Sequence, residues 1–339
     1  MKRRLEFIDI ARGIAIISII LGHMGSWQIN RIVFTYHVPL FFFVSGYFID
    51  TRRNAKEFVI HKIKTLLIPY TVTCIVIIAI NMFFNYYIQG AEKAIEAIKY
   101  WSYASVYGAG DSYQEPFQIA AIGAIWFLWA TLWGSLFLRI SLRLSQVMRI
   151  CMISGLFLLG YFSRLWFWFP FSFQAGCCAT LFMYFGYLFK YEEPVLKELS
   201  KEIKCVAMLF ALAIWIEFMK NFQSFWLVHC DIGRGVIDIF GCICGVSIIF
   251  IISWYIEKYI GFLAKPLQYI GKFSILALCI HIIEMDVFPW GNLTAAILAR
   301  GIPATATFYL TIAAKLVLIL GGTALLSKCK TICKIYGIK

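Results

Sequence analysis

Residues 7–24 read FIDIARGIAIISIILGHM, an apolar run long enough to cross a bilayer that nonetheless carries Asp9, Arg12 and His23. Ionisable side chains are costly in hydrocarbon, so a span that keeps them marks a functional site with partners. Eleven residues separate Arg12 from His23. Eleven steps of about 100° return to within roughly 20° of the start, so on a helix both side chains share one face, about 16 Å apart along the axis. A cation near one membrane surface is thereby aligned with an imidazole near the other. That arrangement suits a site that grips an anion on one side and moves a proton on the other.

The remainder of the chain fits this reading. Of 339 residues 61% are hydrophobic and 14% charged, and mean hydropathy is +0.79. Soluble domains are nearer a quarter charged. The apolar runs are too long for barrel strands. The expected fold is all-α, a polytopic helical membrane protein with about ten transmembrane helices in one membrane-embedded domain over residues 1–339. Spans of roughly the twenty residues a bilayer needs are expected at 5–25, 32–50, 66–88, 119–140, 150–163, 174–190, 204–221, 232–256, 270–289 and 304–327. The Met1-Lys2-Arg3-Arg4 start imitates a signal peptide. Asp9 and Arg12 interrupt the apolar region, however, and no small-x-small cleavage site follows, so it is read as a retained first span.

Charge fixes the orientation. With both termini inside, 22 of the 31 Lys and Arg fall in inner segments and 7 in outer ones, while Arg12 and Lys315 lie within spans. This bias supports N-in and C-in. It also accounts for the net +13 as a topology signal plus attraction to anionic lipid, which leaves no reason to invoke nucleic acid. The eleven cysteines show no CxxC or Cys/His metal spacing and read as packing residues, so no metal is expected. Cys329 and Cys333 beside basic residues leave palmitoylation open.

Candidate chemistry gathers at few positions. The second span reads Tyr36-His37-Val38-Pro39-Leu40-Phe41-Phe42-Phe43-Val44-Ser45-Gly46-Tyr47-Phe48. Its proline frees backbone carbonyls, as happens where a helix lines a cavity, and His37 lies at a depth similar to His23. Asp9, one turn from Arg12, is read as orienting it. Glu284 and Asp286 follow His281 by about one turn and could orient a histidine or grip a sugar. Glu217 and Asp238 are expected to pair with each other or with Lys315. His61 is read as a solvated histidine of a basic inner loop, and His229 as an outer-loop residue without a visible partner. The longest outer loop, 89–118, carries Tyr100, Trp101, Tyr103, Tyr107, Asp111, Tyr113 and Glu115, which suit either an acceptor site or an interfacial aromatic belt.

These residues resemble the acyltransferase-3 family of integral membrane acyltransferases. The resemblance rests on Asp9, Arg12-Gly13 and His23, then His37, Pro39-Leu40-Phe41-Phe42 and Ser45-Gly46-Tyr47. It continues through Ile125-Trp126-Phe127-Leu128, Pro170 and Phe185-Gly186-Tyr187 to Tyr269-Ile270-Gly271-Lys272, Ser274 and His281. The ordered set spans almost the whole chain and is nearest the single-domain, fucose 4-O-acetylase-like branch. Relatives with an added extracytoplasmic esterase-like domain are more distant. Where some members carry His or Glu just before Trp-Phe-Leu, this chain has Ala124 and Ile125, so no second catalytic polar group is carried over there.

The resemblance implies acetyl-CoA as cytoplasmic donor and a hydroxyl of a cell-surface or lipid-linked carbohydrate as acceptor, in the cell membrane. His23 is then the expected general base and His37 a second catalytic candidate. Arg12, supported by Asp9, would grip CoA phosphate, with Arg52, Arg53 and Lys62 holding the nucleotide and Ser45 and Trp126 lining the donor path. His281, Glu284 and Asp286 are expected at the acceptor. Direct transfer is the first mechanism and a covalent acetyl-His or acetyl-Ser intermediate the second. Rival readings are a transporter, which would also keep intramembrane charges, and a substrate-gathering membrane module.

Overall fold

A computed structural model describes residues 5–338 except Pro116; the basic Lys2-Arg3-Arg4 cluster and Lys339 lie outside the described residues. The helices are α1 (Glu6–Gly22), α2 (Trp27–Val33), α3 (His37–Tyr47), α4 (Ala55–Lys62), α5 (Ile68–Gln89), α6 (Ala91–Tyr107), α7 (Trp126–Ser141) and α8 (Gln146–Ser163). They continue with α9 (Phe173–Glu198), α10 (Lys201–Lys220), α11 (Val236–Tyr259), α12 (Gly261–Lys272), α13 (Ser274–Val287), α14 (Trp290–Ala299), α15 (Ala304–Leu326) and α16 (Lys330–Ile335). Among the described residues the only β pairing is two isolated bridges between segments 109–113 and 119–121. The chain is therefore an all-α, multi-pass membrane protein.

Each expected span overlaps a helix. Among the described residues five helical runs are long and apolar enough to cross a membrane unaided: Ala55–Gln89, Gly123–Ser141, Gln146–Ser163, Val236–Tyr259 and Ala304–Leu326. A sixth arises if α13 and α14, bent by 64° at a short break, count as one span. The expected second span divides into α2 and α3. The break falls at residues 34–36, so Pro39 sits in the first turn of α3, where its missing N–H leaves no helical bond unmade. The expected outer loop is largely helical, since 91–107 forms α6, and Gly108 ends it in the left-handed conformation at φ 69°. A π-helical turn, Ile63–Leu67, joins α4 to α5 in one 35-residue run. Such insertions often accompany functional sites.

Lipid offers apolar helices no hydrophobic reason to associate, so close packing of small residues carries the assembly. A Cβ on Gly46 of α3 would lie 1.8 Å from the Met183 carbonyl oxygen of α9, and one on Gly186 of α9 would lie 1.9 Å from that of Phe43. The α1–α12 contact is equally close: a Cβ on Gly271 would meet the Asp9 carbonyl oxygen at 1.7 Å. Two apolar clusters result, one built mainly on α3, α7, α9 and α11, the other on α5, α13 and α15. Helix α1 contributes to both, and Phe41 and Phe127 pack against both. Outward faces keep large apolar side chains exposed, as at Ile88, Phe210, Val236 and Val317, which suits contact with lipid chains.

Candidate active site

The seam between the two clusters is hollow. A cavity of about 360 Å³ is lined by α1, α3, the π turn, α7, α13 and segment 225–228. Towards the side that the charge bias assigns to the cytoplasm it is bordered by Arg12, Phe48, His61, Lys62 and Ser274. At the other end stand His23, His37, Trp226 and Val228. Ser45, Trp126, Phe127 and Thr131 line its wall. The helical phase of Arg12 and His23 thus places both in one lumen.

Arg12 is braced rather than loose. Its Nη2 donates to Ser274 Oγ at 2.7 Å, and its Nη1 lies 3.5 Å from Asp9 Oδ1. Lys62 stands over the Phe58 ring at 5.6 Å. His61, read as solvated, is exposed and also borders the cavity, from the last turn of α4. Arg52 and Arg53 lie in the turn before α4 and do not line the cavity. Asp50 organises that turn: its Oδ1 accepts from the backbone N–H groups of Arg52 and Arg53, and its Oδ2 pairs with Arg53 Nε at 2.9 Å. Burial alone would raise the Asp50 carboxyl, but those N–H groups, with Arg53 and Arg139, more than offset it and hold it below the usual carboxylate range. Buried Arg139 of α7 donates to the Asp50 and Arg53 carbonyls and stacks on Phe58 at 4.5 Å. No sequence spacing pointed to Arg139.

At the outer end the two expected histidines are held differently. His37 Nδ1 lies 2.5 Å from the Val33 carbonyl and the ring is buried. A carbonyl only accepts, so this nitrogen carries the proton and Nε2 is the acceptor. Ser45 Oγ donates to the Phe41 carbonyl at 2.9 Å. His23 follows the end of α1, with its exposed face on the cavity and Nδ1 2.8 Å from the Ile19 carbonyl.

Behind His23 stands His281, with Nε2 3.2 Å from His23 Nδ1 and ring centroids 5.0 Å apart. His281 Nδ1 is 3.1 Å from Glu284 Oε2, and Glu284 Oε1 is 2.9 Å from Lys315 Nζ of α15. His281 and Glu284 are buried and, with Asp286, lie outside the cavity wall. The expected partnership of Lys315 with Glu217 or Asp238 does not form. Asp238 binds Arg234 at 2.7 Å, and Glu217 accepts from Asn221.

His229 also has partners that its sequence neighbourhood concealed. Nε2 lies 3.1 Å from Asp111 Oδ2, and Nδ1 lies 3.1 Å from Tyr113 Oη. Burial pushes the Tyr113 phenol up, so it remains protonated and donates to that nitrogen. Tyr113 stacks on Trp168 at 4.7 Å. The 108–122 segment is thereby tied to the 227–229 turn beside the outer end of the cavity.

Two comparisons, with curated proteins and with solved structures, return no match. A third, with protein families, matches the acyltransferase domain of the acyltransferase-3 family over residues 5–327, nearly the whole chain, including both ends of the cavity. The chain belongs to that family and is a membrane acyltransferase.

Proposed function

We propose that the protein moves an acetyl group from cytoplasmic acetyl-CoA to a hydroxyl of an extracytoplasmic cell-surface carbohydrate in the cell membrane. The observation carrying this reading is the single lumen that has Arg12, His61 and Lys62 at one end and His23 and His37 at the other. A donor with a phosphate-rich head and a long thin arm fits those ends. Guanidinium contacts to phosphate are strong, and Arg12 is held ready for them by Ser274 and Asp9. Lys62 and His61 supplement it, while Arg52 and Arg53 meet the nucleotide outside the lumen.

The donor supplies an acyl group activated as a thioester. His23 takes the acceptor hydroxyl proton on Nε2 as the new C–O bond forms, and as the C–S bond breaks the departing thiolate takes that proton, which returns His23 to its neutral form. Imidazole is matched to this task near neutral pH. Trp126 and Ser45 line the acyl path. His37, with Nδ1 committed to Val33, offers Nε2 as an acceptor that can orient the incoming hydroxyl.

The test is acetyl-CoA turnover by purified, detergent-solubilised protein supplied with a surface-glycan extract. His23→Ala should lower kcat by 10²-fold or more, within the usual range for losing a general base. Free CoA release by His23→Ala at the wild-type rate would remove the assignment, and absence of acetyl-CoA binding by wild type would bring the transport reading forward.

A further inference from the structure

We propose that Lys315, Glu284 and His281 form a positioning chain that fixes the tautomer and orientation of His23. This rests on the reading of His23 as the base. The four side chains come from α1, α13 and α15 and stand in sequence, with successive separations of 3.2, 3.1 and 2.9 Å. One proton assignment satisfies them all. The Ile19 carbonyl can only accept, so the His23 proton is on Nδ1, shared between Ile19 and His281 Nε2. His281 therefore accepts on Nε2, carries its proton on Nδ1 and donates it to Glu284 Oε2. The other carboxylate oxygen is held by the Lys315 ammonium, which also lies 4.8 Å above the Trp290 ring. His23 Nε2 is left as the unprotonated nitrogen on a residue that borders the cavity.

A structural ion pair between α13 and α15 would explain Glu284 and Lys315 but not the two imidazoles aligned with them. Buried ion pairs generally gain little over well-packed apolar side chains. Four ionisable groups in a row inside a membrane protein are thus a costly way to join helices. Their alignment is instead what a base requires whose second nitrogen must stay protonated: when Nε2 accepts a proton, the new positive charge is passed towards a carboxylate already in place. Lys315 is the clamp that holds that carboxylate. Its partner across the chain, His23, is 292 residues away in sequence.

The decisive variant exchanges the ends of the ion pair, Glu284→Lys with Lys315→Glu, in the full chain. The exchange keeps an ion pair between α13 and α15 but places a donor against His281 Nδ1, which reverses the chain of hydrogen bonds. Expected are near-wild-type thermal unfolding, an unchanged KM for acetyl-CoA and a kcat at least tenfold lower. A folded exchange variant with wild-type kcat would overturn the proposal. If the exchange does not fold, the near-isosteric Glu284→Gln decides in its place: kcat should fall tenfold or more at unchanged KM, and wild-type kcat overturns the proposal. His23→Ala, measured alongside, separates the two levels. An active His23→Ala removes the base assignment and the positioning chain together, whereas an inactive His23→Ala beside an active exchange variant removes only the chain. A readout that does not use acetyl-CoA is carbethoxylation of His23 by diethyl pyrocarbonate, followed by mass spectrometry. It should slow several-fold in Glu284→Gln, and an unchanged rate counts against the chain.

Discussion

Arg12 shows how much one residue's position conveys and how much it withholds. Its presence in an apolar run and its phase with His23 were readable from residues 7–24, because helical geometry alone relates them. Its hydrogen bond to Ser274 was not, since the two are 262 positions apart and only packing of α13 against α1 brings the hydroxyl within 2.7 Å. Arg12→Lys keeps the charge but cannot reproduce a planar, two-nitrogen grip. It should raise the KM for acetyl-CoA by about 10- to 100-fold, the worth of one charged hydrogen bond, and leave kcat nearly unchanged. Steady-state kinetics over a donor series checks this. An effect confined to kcat would place Arg12 at the chemistry instead. Ser274→Ala should shift the same KM in the same direction and by less, because Asp9 still braces the guanidinium.

Helices α3 and α9 pack with their backbones in contact. Gly→Ala inside a helix normally stabilises by about 0.5–1 kcal/mol. At Gly46 and Gly186 the sign should reverse, since the added carbon would overlap a carbonyl oxygen of the opposing helix. Overpacking of this kind costs on the order of 1–3 kcal/mol or more. Gly155 of α8 is the control, with nothing within 4 Å of its Cβ position. Thermal unfolding in detergent should therefore show Gly46→Ala and Gly186→Ala well below wild type and Gly155→Ala at or slightly above it. Neither the helix that Gly46 would pack against nor the exact extent of α3 was legible in the sequence. A proline eighth from the start of the 32–50 span reads as a mid-span break, yet the helix breaks upstream of it, at residues 34–36. The π turn has no composition signature, and His61, exposed as its reading as a solvated histidine implied, also borders the cavity.

At the scale of the whole molecule the all-α, multi-pass architecture was the most legible feature, because apolar length and charge asymmetry are additive along the chain. What was not additive was the pairing of distant charges. Lys315 chose Glu284 over Asp238, as Arg234, four residues from Asp238, had already satisfied that carboxylate. The orientation has its own consequence. A membrane-impermeant maleimide applied to intact cells should label a cysteine placed at Glu92, at the start of α6, and spare one placed at Lys56 of α4 until the membrane is permeabilised. The reverse pattern would invert the molecule and put the cationic end of the cavity outside. Breaking the Asp111–His229–Tyr113 link by His229→Ala should raise protease sensitivity of the 108–122 segment while leaving donor KM intact, since that link lies at the opposite end from Arg12.

Helix α13 touches α1 twice, through Ser274 on Arg12 and through His281 on His23. These two rungs make the pair of helices a ladder whose spacing is set by backbone rise: seven residues on one rail, eleven on the other, with the long arginine side chain taking up the difference. Such a ladder is a ruler. If Arg12 anchors the donor's head and His23 serves its reactive end, as proposed above, the ladder fixes the distance between them and so selects for arm length before any contact with the acyl group. One alanine inserted between the rungs of α13 would turn the helix beyond it by about 100°, leaving both rungs intact as residues but no longer able to measure the same substrate.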